Sequence, residues 1–353
     1  MIFGLGLLAA AGLSLVLWLL PALQFLRNYE HRLAITGNAI NRRTEKIGAV
    51  ELHIYKPERQ NGTTLIIVPG LHPEGIHDTR FMAFADTCAK AGFQVVAPDL
   101  VEFRDFRITN SSINILRSLI QALPDYVPDD TLNHLGMLGI SYGAGPVFLL
   151  AAERKFDFVV SIGGYYNLLH ALEYSFTGKH PGGNQRSAHE WGRLIFALNH
   201  IDELAPQADA QILRKSLSLR LELKVQEAET LENKLTDDAK YLLNGIVQGL
   251  SEDQKTTFIE ITQRRKMEAA ALSPESVLAE IDPETRIYLL HGTNDDSIPY
   301  EETIELQHAL EGAGFKSRCL ITPALTHVDF TNVGEIWELL KLLHWQRLLL
   351  SER

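Results

Sequence analysis

The stretch HLGMLGISYGAGPVFLLAAE, residues 134–153, decides the fold. A run of mostly apolar residues leads into a G-x-S-x-G pattern at 139–143, and a run with helical spacing follows. Gly139 and Gly143 lack a Cβ atom, so they allow a strand and a helix to approach closely at a sharp turn. The stretch therefore predicts a strand, a tight turn that presents Ser141, and a helix.

On both sides of this stretch, short apolar runs alternate with stretches of helical spacing. The predicted strands are Val50–Tyr55, Leu65–Val68, Phe93–Val96, His134–Ile140, Phe156–Ile162, Ile287–Leu290 and Cys319–Ile321. The predicted helices are Arg80–Lys90, Ile113–Leu123, Gly143–Glu153, Glu301–Leu310 and Ile336–Leu350. Because alternating strands and helices build βαβ units, the sequence predicts an α/β fold whose mostly parallel sheet is covered by helices on both faces.

Residues 165–285 interrupt the alternation. They contain no convincing strand, and apolar residues recur there at helical spacing, as at Ile212, Leu213, Leu217, Leu221 and Val225. We interpret 165–285 as a helical cap inserted between two parts of a catalytic core, 48–164 and 286–353, since ligand pockets favour such junctions. The alternatives are that these helices only complete the globule, or that they mediate oligomerisation through a coiled-coil face.

The amino-terminal segment has no charged side chain from Ile2 to Leu23. An apolar helix of that length can cross a hydrocarbon core about 30 Å thick. We therefore predict a single transmembrane helix over residues 1–26, followed by a juxtamembrane linker over 27–47. A cleaved signal peptide is the alternative, but the basic residues that should precede its apolar core are missing.

Basic residues follow the apolar segment, and none precedes it. They are Arg27, Arg32, Arg42, Arg43 and Lys46. By the positive-inside rule, the catalytic domain is expected on the cytoplasmic side of the membrane.

Serine is a poor nucleophile at its own pKa, so Ser141 needs a base and a third group that orients the base. Downstream, Asp295 and Asp296 follow the predicted strand Ile287–Leu290, and His327 lies between the last predicted strand and the last helix. Because chemistry gathers at the carboxyl ends of parallel strands, these side chains are candidates for one site.

These motifs resemble the α/β-hydrolase superfamily from Val50 to the carboxyl terminus, including its chain order of Ser, Asp and His. The stretch HGTNDDSIP, 291–299, resembles the family's acid loop and matches Asp295 to the triad acid, with Asp296 as the alternative. His327 matches the family's histidine, although Thr326 replaces the glycine that often precedes it. The resemblance implies that Ser141 is the nucleophile, His327 its base and Asp295 the orienting acid.

The same resemblance implies an oxyanion hole. Its two donors would be the backbone amide of Tyr142, next to the nucleophile, and that of Leu71 in the loop VPGLH, 68–72. His72, in the same loop, either lines the pocket or has no part in the chemistry.

Composition excludes several other functions. The formal net charge of −11 argues against nucleic-acid binding, which depends on clustered Lys and Arg. The two cysteines, Cys88 and Cys319, have no neighbours at zinc-ligand spacing. His72, His77 and Asp78 match no metal motif, and no GxxxxGK[ST] phosphate loop is present. We therefore expect neither a metal nor another cofactor.

Together these features predict a serine hydrolase that cleaves a carboxylic ester or thioester through an acyl-enzyme. The substrate is expected to be a small or lipid-like acyl compound, because an anchored enzyme meets lipophilic molecules first. Acyl transfer by the same triad is one alternative, and a catalytically silent, membrane-tethered binding or scaffold protein is another. The oligomeric state is left open.

Overall fold

The computed structural model describes residues 2–34, 42–183, 185–329 and 335–352. The strands are β1 Arg42–Ile47, β2 Val50–Tyr55, β3 Thr63–Val68, β4 Gln94–Pro98, β5 His134–Ile140, β6 Phe158–Ile162, β7 Arg286–Gly292 and β8 Arg318–Thr322. The helices before the insertion are α1 Ile2–Ala34, α2 Thr79–Lys90, α3 Val101–Arg104, α4 Ser111–Ala122 and α5 Ala144–Glu153.

Seven helices follow between β6 and β7. They are α6 Leu168–Thr177, α7 Glu190–Leu204, α8 Gln207–Leu221, α9 Val225–Glu232, α10 Asp237–Gln248, α11 Glu252–Arg264 and α12 Lys266–Ala270. The last two helices of the described chain are α13 Glu301–Gly312 and α14 Ile336–Leu349.

The eight strands form one sheet in the order β1-β2-β4-β3-β5-β6-β7-β8. The pairs from β4 to β8 are parallel, whereas β1 pairs antiparallel with β2 and β2 antiparallel with β4. Strands β3 and β4 are buried along their whole length, as expected of parallel strands covered on both faces. The prediction of a mostly parallel α/β sheet is confirmed.

Each face of the sheet packs against its own set of helices. On one face, side chains such as Met137 and Val159 share an apolar cluster with Leu116 of α4, Phe148 of α5 and Leu306 of α13. On the other face, residues including Leu138 and Val160 share a cluster with Phe25 of α1, Phe81 of α2 and Leu342 of α14. Helices therefore cover both faces, as the sequence predicted.

The amino-terminal region differs from the expected anchor and linker. Helix α1 continues to Ala34, and β1 begins at Arg42, so most of the expected linker 27–47 is regular structure; residues 35–41 lie outside the described chain. The second half of α1 packs on the catalytic domain through Leu19 and Ala22, which contact Leu343 of α14. Local sequence does not show that the end of a helix docks on another element.

Arg32 makes a further contact between α1 and the rest of the chain. It is one of the basic residues expected next to a membrane, but its Nε lies 2.6 Å from Oδ2 of Asp86 on α2. Within the described residues, no helix is both long enough and apolar enough to cross a membrane. The predicted transmembrane helix over 1–26 therefore finds no support here.

The inserted helices have a core of their own. Leu213, Leu217 and Leu221 of α8 are fully buried, together with Phe196 of α7 and Phe258 of α11. Three residues of the apolar stripe seen in the sequence, Leu213, Leu217 and Leu221, therefore face the inside of the insertion, whereas Val225 is exposed. The division of the chain into core and cap at residues 165 and 285 stays a prediction.

Candidate active site

The sheet topology places two loops side by side. Strands β3 and β5 are neighbours in the sheet. The chain leaves β3 toward β4 on one side and leaves β5 toward β6 on the other, so the two connections run in opposite directions. A crevice forms at such a switch point, outside the carboxyl ends of the strands. The loop after β3 contains Leu71, and the turn after β5 contains Ser141.

Ser141 lies in the sharp turn between β5 and α5. Its φ is +54°, in the left-handed region that side chains with a Cβ rarely adopt. The neighbouring glycines make the turn possible: a Cβ at Gly139 would lie 2.5 Å from Cα of Ala144, and one at Gly143 would overlap the backbone oxygen of Pro69. The strained turn holds the serine above the sheet edge, as a nucleophile elbow does.

Three side chains from three loops meet above this edge. Nε2 of His327 lies 2.7 Å from Oγ of Ser141, and Nδ1 of His327 lies 2.6 Å from Oδ2 of Asp295. With Nδ1–H donating to the carboxylate, Nε2 is free to accept the serine proton. The structure thus brings together the three residues singled out in the sequence, which are separated by up to 186 positions.

The carboxylate of Asp295 is buried and fully hydrogen-bonded. Oδ1 accepts bonds from the backbone N–H groups of Ser297 (2.8 Å) and Ile298 (2.9 Å), and Oδ2 faces His327 and His291. Burial alone would raise the pKa of Asp295, but the charge of His327 and the hydrogen bonds from His291 and His327 hold this pKa well below its usual value. Asp295 is therefore ionised at neutral pH.

His291 is a residue that the sequence analysis missed. Its Nε2 lies 3.0 Å from both Oδ2 of Asp295 and the carbonyl oxygen of Ile298, and its Nδ1 lies 2.6 Å from the hydroxyl of Thr303. Since both neighbours of Nε2 are acceptors, Nε2 carries the proton and Nδ1 accepts from the hydroxyl. His291 stands in the HGTNDD stretch four residues before Asp295, which was the available signal, but only the fold shows that the ring turns toward the carboxylate.

The two neighbouring aspartates differ in their contacts. Asp295, and not Asp296, reaches His327 in the described structure, and the backbone oxygen of Asp296 accepts a bond of 2.7 Å from the N–H of His189. Neither aspartate caps α13, whose preceding residue is Tyr300.

His327 is held in a loop that packs tightly on β7. A Cβ at Gly292 would overlap the backbone oxygens of Leu325 and Thr326, so glycine is required there. Thr326, which replaces the common glycine, donates its backbone N–H to the carbonyl of Asp329 at 3.0 Å and so closes a tight turn around the histidine. Burial opposes ionisation of His327, but the Asp295 carboxylate more than offsets it and raises the pKa of the imidazole.

The predicted oxyanion donors, Leu71 and Tyr142, belong to segments next to Ser141. A Cβ at Gly70 would lie 3.0 Å from Cβ of Ser141, so the loop carrying Leu71 runs directly against the serine. Tyr142 follows Ser141 in the turn, and its ring stacks on Tyr165 with centroids 5.9 Å apart. Both residues line the same cavity as Ser141 and His327.

His72 and Asp78 have roles that the structure makes plain. Asp78 accepts bonds from the backbone N–H groups of Arg80 (2.9 Å) and Phe81 (3.0 Å), and so caps the amino-terminal end of α2. Nδ1 of His72 accepts a 3.3 Å bond from the N–H of Glu74, and the ring lines the cavity. Burial lowers the pKa of His72.

Three clusters in the described chain hold potential metal ligands within 4.8 Å of one another. They are Glu51–His53–His77, His72–Glu74–Asp78 and His170–Glu302–Glu305. None of them includes a member of the Ser141–His327–Asp295 relay. The carboxylate of Asp78 is already engaged as a helix cap, and acid–base chemistry at Ser141 requires no metal from these groups.

The relay opens into a cavity of about 680 Å³, within the range of small-molecule sites. On one side the cavity is lined by helices of the insertion, through side chains such as Leu168 and Leu172 of α6 and Trp191 of α7. The inserted helices therefore form one wall of the space in front of Ser141.

No family model matches the sequence. Among curated proteins, a match is found to a protein of Oryza sativa subsp. japonica described as "Probable isoprenylcysteine alpha-carbonyl methylesterase", with 35% identity over 80 residues. The match covers 21% of this chain and 19% of that protein, so it spans only about a fifth of the relative's length.

Among solved structures, an acylaminoacyl peptidase in complex with a chloromethyl ketone aligns with a TM-score of 0.50 at 14% identity, over 88% of this chain and 41% of that chain. A puromycin-hydrolyzing peptidase of Mycobacterium tuberculosis aligns with the same TM-score and identity, over 90% of this chain and 40% of its own. The chain has the α/β-hydrolase fold. It spans about two fifths of the length of these two peptidases.

The prediction of the α/β-hydrolase fold is thus confirmed. The proteins named above are described as an esterase and as peptidases. A shared fold does not determine a substrate, because the same scaffold carries many chemistries. What this chain does must be argued from its own site.

Proposed function

We propose that this protein is a serine hydrolase that cleaves a carboxylic ester or thioester through an acyl-enzyme, acting on a small or lipophilic acyl compound. The observation that carries the proposal is the relay Ser141–His327–Asp295, with contacts of 2.7 and 2.6 Å. These lengths support the proposal, because proton transfer from Ser141 to His327 and orientation of His327 by Asp295 both require contacts of hydrogen-bond length.

In the first half of the reaction, Nε2 of His327 takes the proton of Ser141 while Oγ forms a bond to the substrate carbonyl carbon. The negative charge that develops on the carbonyl oxygen is stabilised by the backbone N–H groups of Leu71 and Tyr142. His327 then donates its proton to the leaving oxygen or sulfur, the bond to the leaving group breaks, and the acyl group remains on Ser141.

In the second half, a water molecule takes the place of the leaving group. His327 removes a proton from this water as its oxygen attacks the acyl carbon, and the same two amides hold the second oxyanion. When the bond to Ser141 breaks, the serine recovers its proton from His327 and the carboxylic acid leaves. Throughout, the Asp295 carboxylate orients the ring and stabilises its charged form.

The proposal is tested by labelling the full chain with a fluorophosphonate probe and by measuring hydrolysis of p-nitrophenyl esters, with Ser141→Ala as the matched control. Labelling and ester hydrolysis in the wild type that both disappear in Ser141→Ala are the expected result. A folded wild type that neither reacts with the probe nor cleaves any ester would favour the silent scaffold. An anilide series run in parallel separates esterase from peptidase activity.

We further propose that the amino-terminal helix holds the enzyme at a membrane, with the catalytic domain on the cytoplasmic side. The supporting observations are the uncharged stretch from Ile2 to Leu23 and a group of exposed apolar side chains on α1 and α14. This group consists of Leu17, Leu20, Leu23, Ile336 and Trp337, which are between 40% and 70% exposed. Exposed apolar side chains that include a tryptophan are typical of a membrane-water interface.

Fractionation of cells that express the full chain tests the attachment, and labelling of a cysteine introduced into the catalytic domain tests the side. Recovery with membranes and protection from a membrane-impermeant reagent in intact cells are expected. Labelling from outside would reverse the assigned side, and recovery in the supernatant would refute the attachment.

A further inference from the structure

The cavity in front of Ser141 has a second part on the opposite side from the inserted helices. The same continuous cavity is lined by Phe25 of α1, Phe84 of α2 and Leu349 of α14. We call this part the core-side lobe, and we call the part lined by Leu168, Leu172 and Trp191 the cap-side lobe. Ser141 and His327 line the same cavity as both lobes.

The core-side lobe lies between the sheet and the helices that cover it. Its floor includes Leu138 and Ile140 of β5, the two inward-pointing positions that lead up to Ser141, and Leu290 of β7. The same residues belong to the apolar cluster on this face of the sheet. The lobe is therefore an opening within what is otherwise packed hydrophobic core.

Such an opening is unfavourable when it is empty, because the side chains around it lose contacts that close packing would give them. An apolar cavity of this kind excludes water and accepts apolar molecules. The polar residues near its entrance are engaged with one another: Arg80 contacts Asp78 at 3.3 Å and both carboxylate oxygens of Asp329 at 3.1 Å. The charges of these three described residues are therefore paired with one another.

We propose that the core-side lobe binds the unbranched acyl chain of the substrate, and that the leaving group lies in the cap-side lobe. The proposal rests on the proposed esterase function. The acyl carbon is the atom bonded to Oγ of Ser141, and two residues that line the core-side lobe, Leu138 and Ile140, lie on β5 just before Ser141. A chain attached to Ser141 therefore follows β5 downward, toward Phe25 of α1.

The substrate class that fits this lobe is an ester of a medium or long straight-chain fatty acid. Each methylene that moves from water into an apolar site is worth about 0.8 kcal/mol, which corresponds to roughly fourfold in kcat/KM. The kcat/KM is thus expected to rise by about that factor for each added methylene until the lobe is full.

The test uses two matched substitutions, Leu349→Trp in the core-side lobe and Leu172→Trp in the cap-side lobe. Both leucines are partly buried and line the cavity, and neither belongs to the proposed catalytic machinery. Purified full-length protein is assayed with p-nitrophenyl acetate, butanoate, octanoate and dodecanoate. Leu349→Trp should lower kcat/KM for the dodecanoate at least tenfold more than for the acetate, whereas Leu172→Trp should leave the order of chain-length preference as it is in the wild type.

The opposite pattern is a shift of the preferred substrate to shorter acyl chains in Leu172→Trp alone. It would place the acyl chain in the cap-side lobe and overturn the proposal. A wild type that shows no dependence on chain length would overturn it as well. If Leu349→Trp shows no thermal unfolding transition, Leu349→Phe is tested in its place. A smaller fall in kcat/KM for the dodecanoate is then expected. Failure of the proposed function is a separate result, because it abolishes hydrolysis of the acetate too.

Discussion

Around Ser141, the ring nitrogens of His327 and the carboxylate oxygens of Asp295 all have hydrogen-bond partners within 3.0 Å, whereas the cavity beside them is bounded mainly by Leu, Ile, Phe and Trp side chains. The first region is defined by directional bonds and by backbone turns that tolerate almost no change. The second is defined by packing, which many side chains of similar size can satisfy. The difference suggests that the chemistry is set in one region and the choice of substrate in the other.

The largest expected effect on kcat comes from a substitution at the centre of the polar region. Ser141→Ala removes the nucleophile, so kcat for ester hydrolysis should fall by roughly 10⁴ to 10⁶, as for serine hydrolases in which one triad member is removed. Stopped assays with p-nitrophenyl acetate measure the loss, and an unchanged thermal unfolding transition shows that the fold is intact. A variant that kept most of its activity would mean that Ser141 is not the nucleophile.

Asp295→Asn is expected to lower kcat by about 10³ to 10⁴, because the amide neither fixes the tautomer of His327 nor stabilises its charged form. The pH dependence provides a second readout. His327 must be neutral to act as a base, and Asp295 raises its pKa, so wild-type activity is lost as the pH falls through that raised pKa.

In Asp295→Asn the raising influence is gone while the burial of His327 remains. The acid limb of the kcat/KM profile should therefore move to lower pH than in the wild type. The measurement is kcat/KM against pH for both proteins with the same ester. An acid limb at the same pH in both proteins would show that it reports the titration of a group other than His327.

His291→Ala should cost about 10- to 100-fold in kcat/KM, since a hydrogen bond to a charged group is worth about 1.5–3 kcal/mol. His291 is a positioning residue that acts through Asp295, and its loss should also shift the acid limb. His291→Gln keeps an N–H donor and should recover part of the activity. If alanine and glutamine gave the same rate and the same pH profile, the bond to Asp295 would have no part in catalysis.

The smallest expected effect lies in the apolar region. Trp191 lines the cap-side lobe with its ring 5.8 Å from that of Phe106, and Trp191→Ala should raise KM about tenfold for esters with a large apolar leaving group. The kcat on these esters and the parameters for a small ester such as ethyl acetate should change little. A fall in kcat equal to that of Asp295→Asn would abolish the distinction between the two regions.

Much of this architecture was predictable from sequence because the signals are local. Apolar runs and glycines in the sequence predict strands β5 and β7, the elbow at Ser141 and the helix that follows it. These elements form as expected. The choice of Asp295 came from family position, and the contact with His327 agrees with it. Local signals failed where an element depends on its neighbours, as in β1, which has little apolar character and is held by pairing with β2.

The sequence by itself determined which residues were available for acyl-transfer chemistry, because strand and helix periodicity places their loops at the carboxyl edge of a parallel sheet. Only the tertiary structure decided how they combine. In the folded chain His291 contacts Asp295, and α1 contacts α2 through Arg32 and Asp86. An apolar lobe belongs to the same cavity as Ser141. Contacts between residues far apart in the chain depend on three-dimensional packing, and no periodicity in the sequence records them.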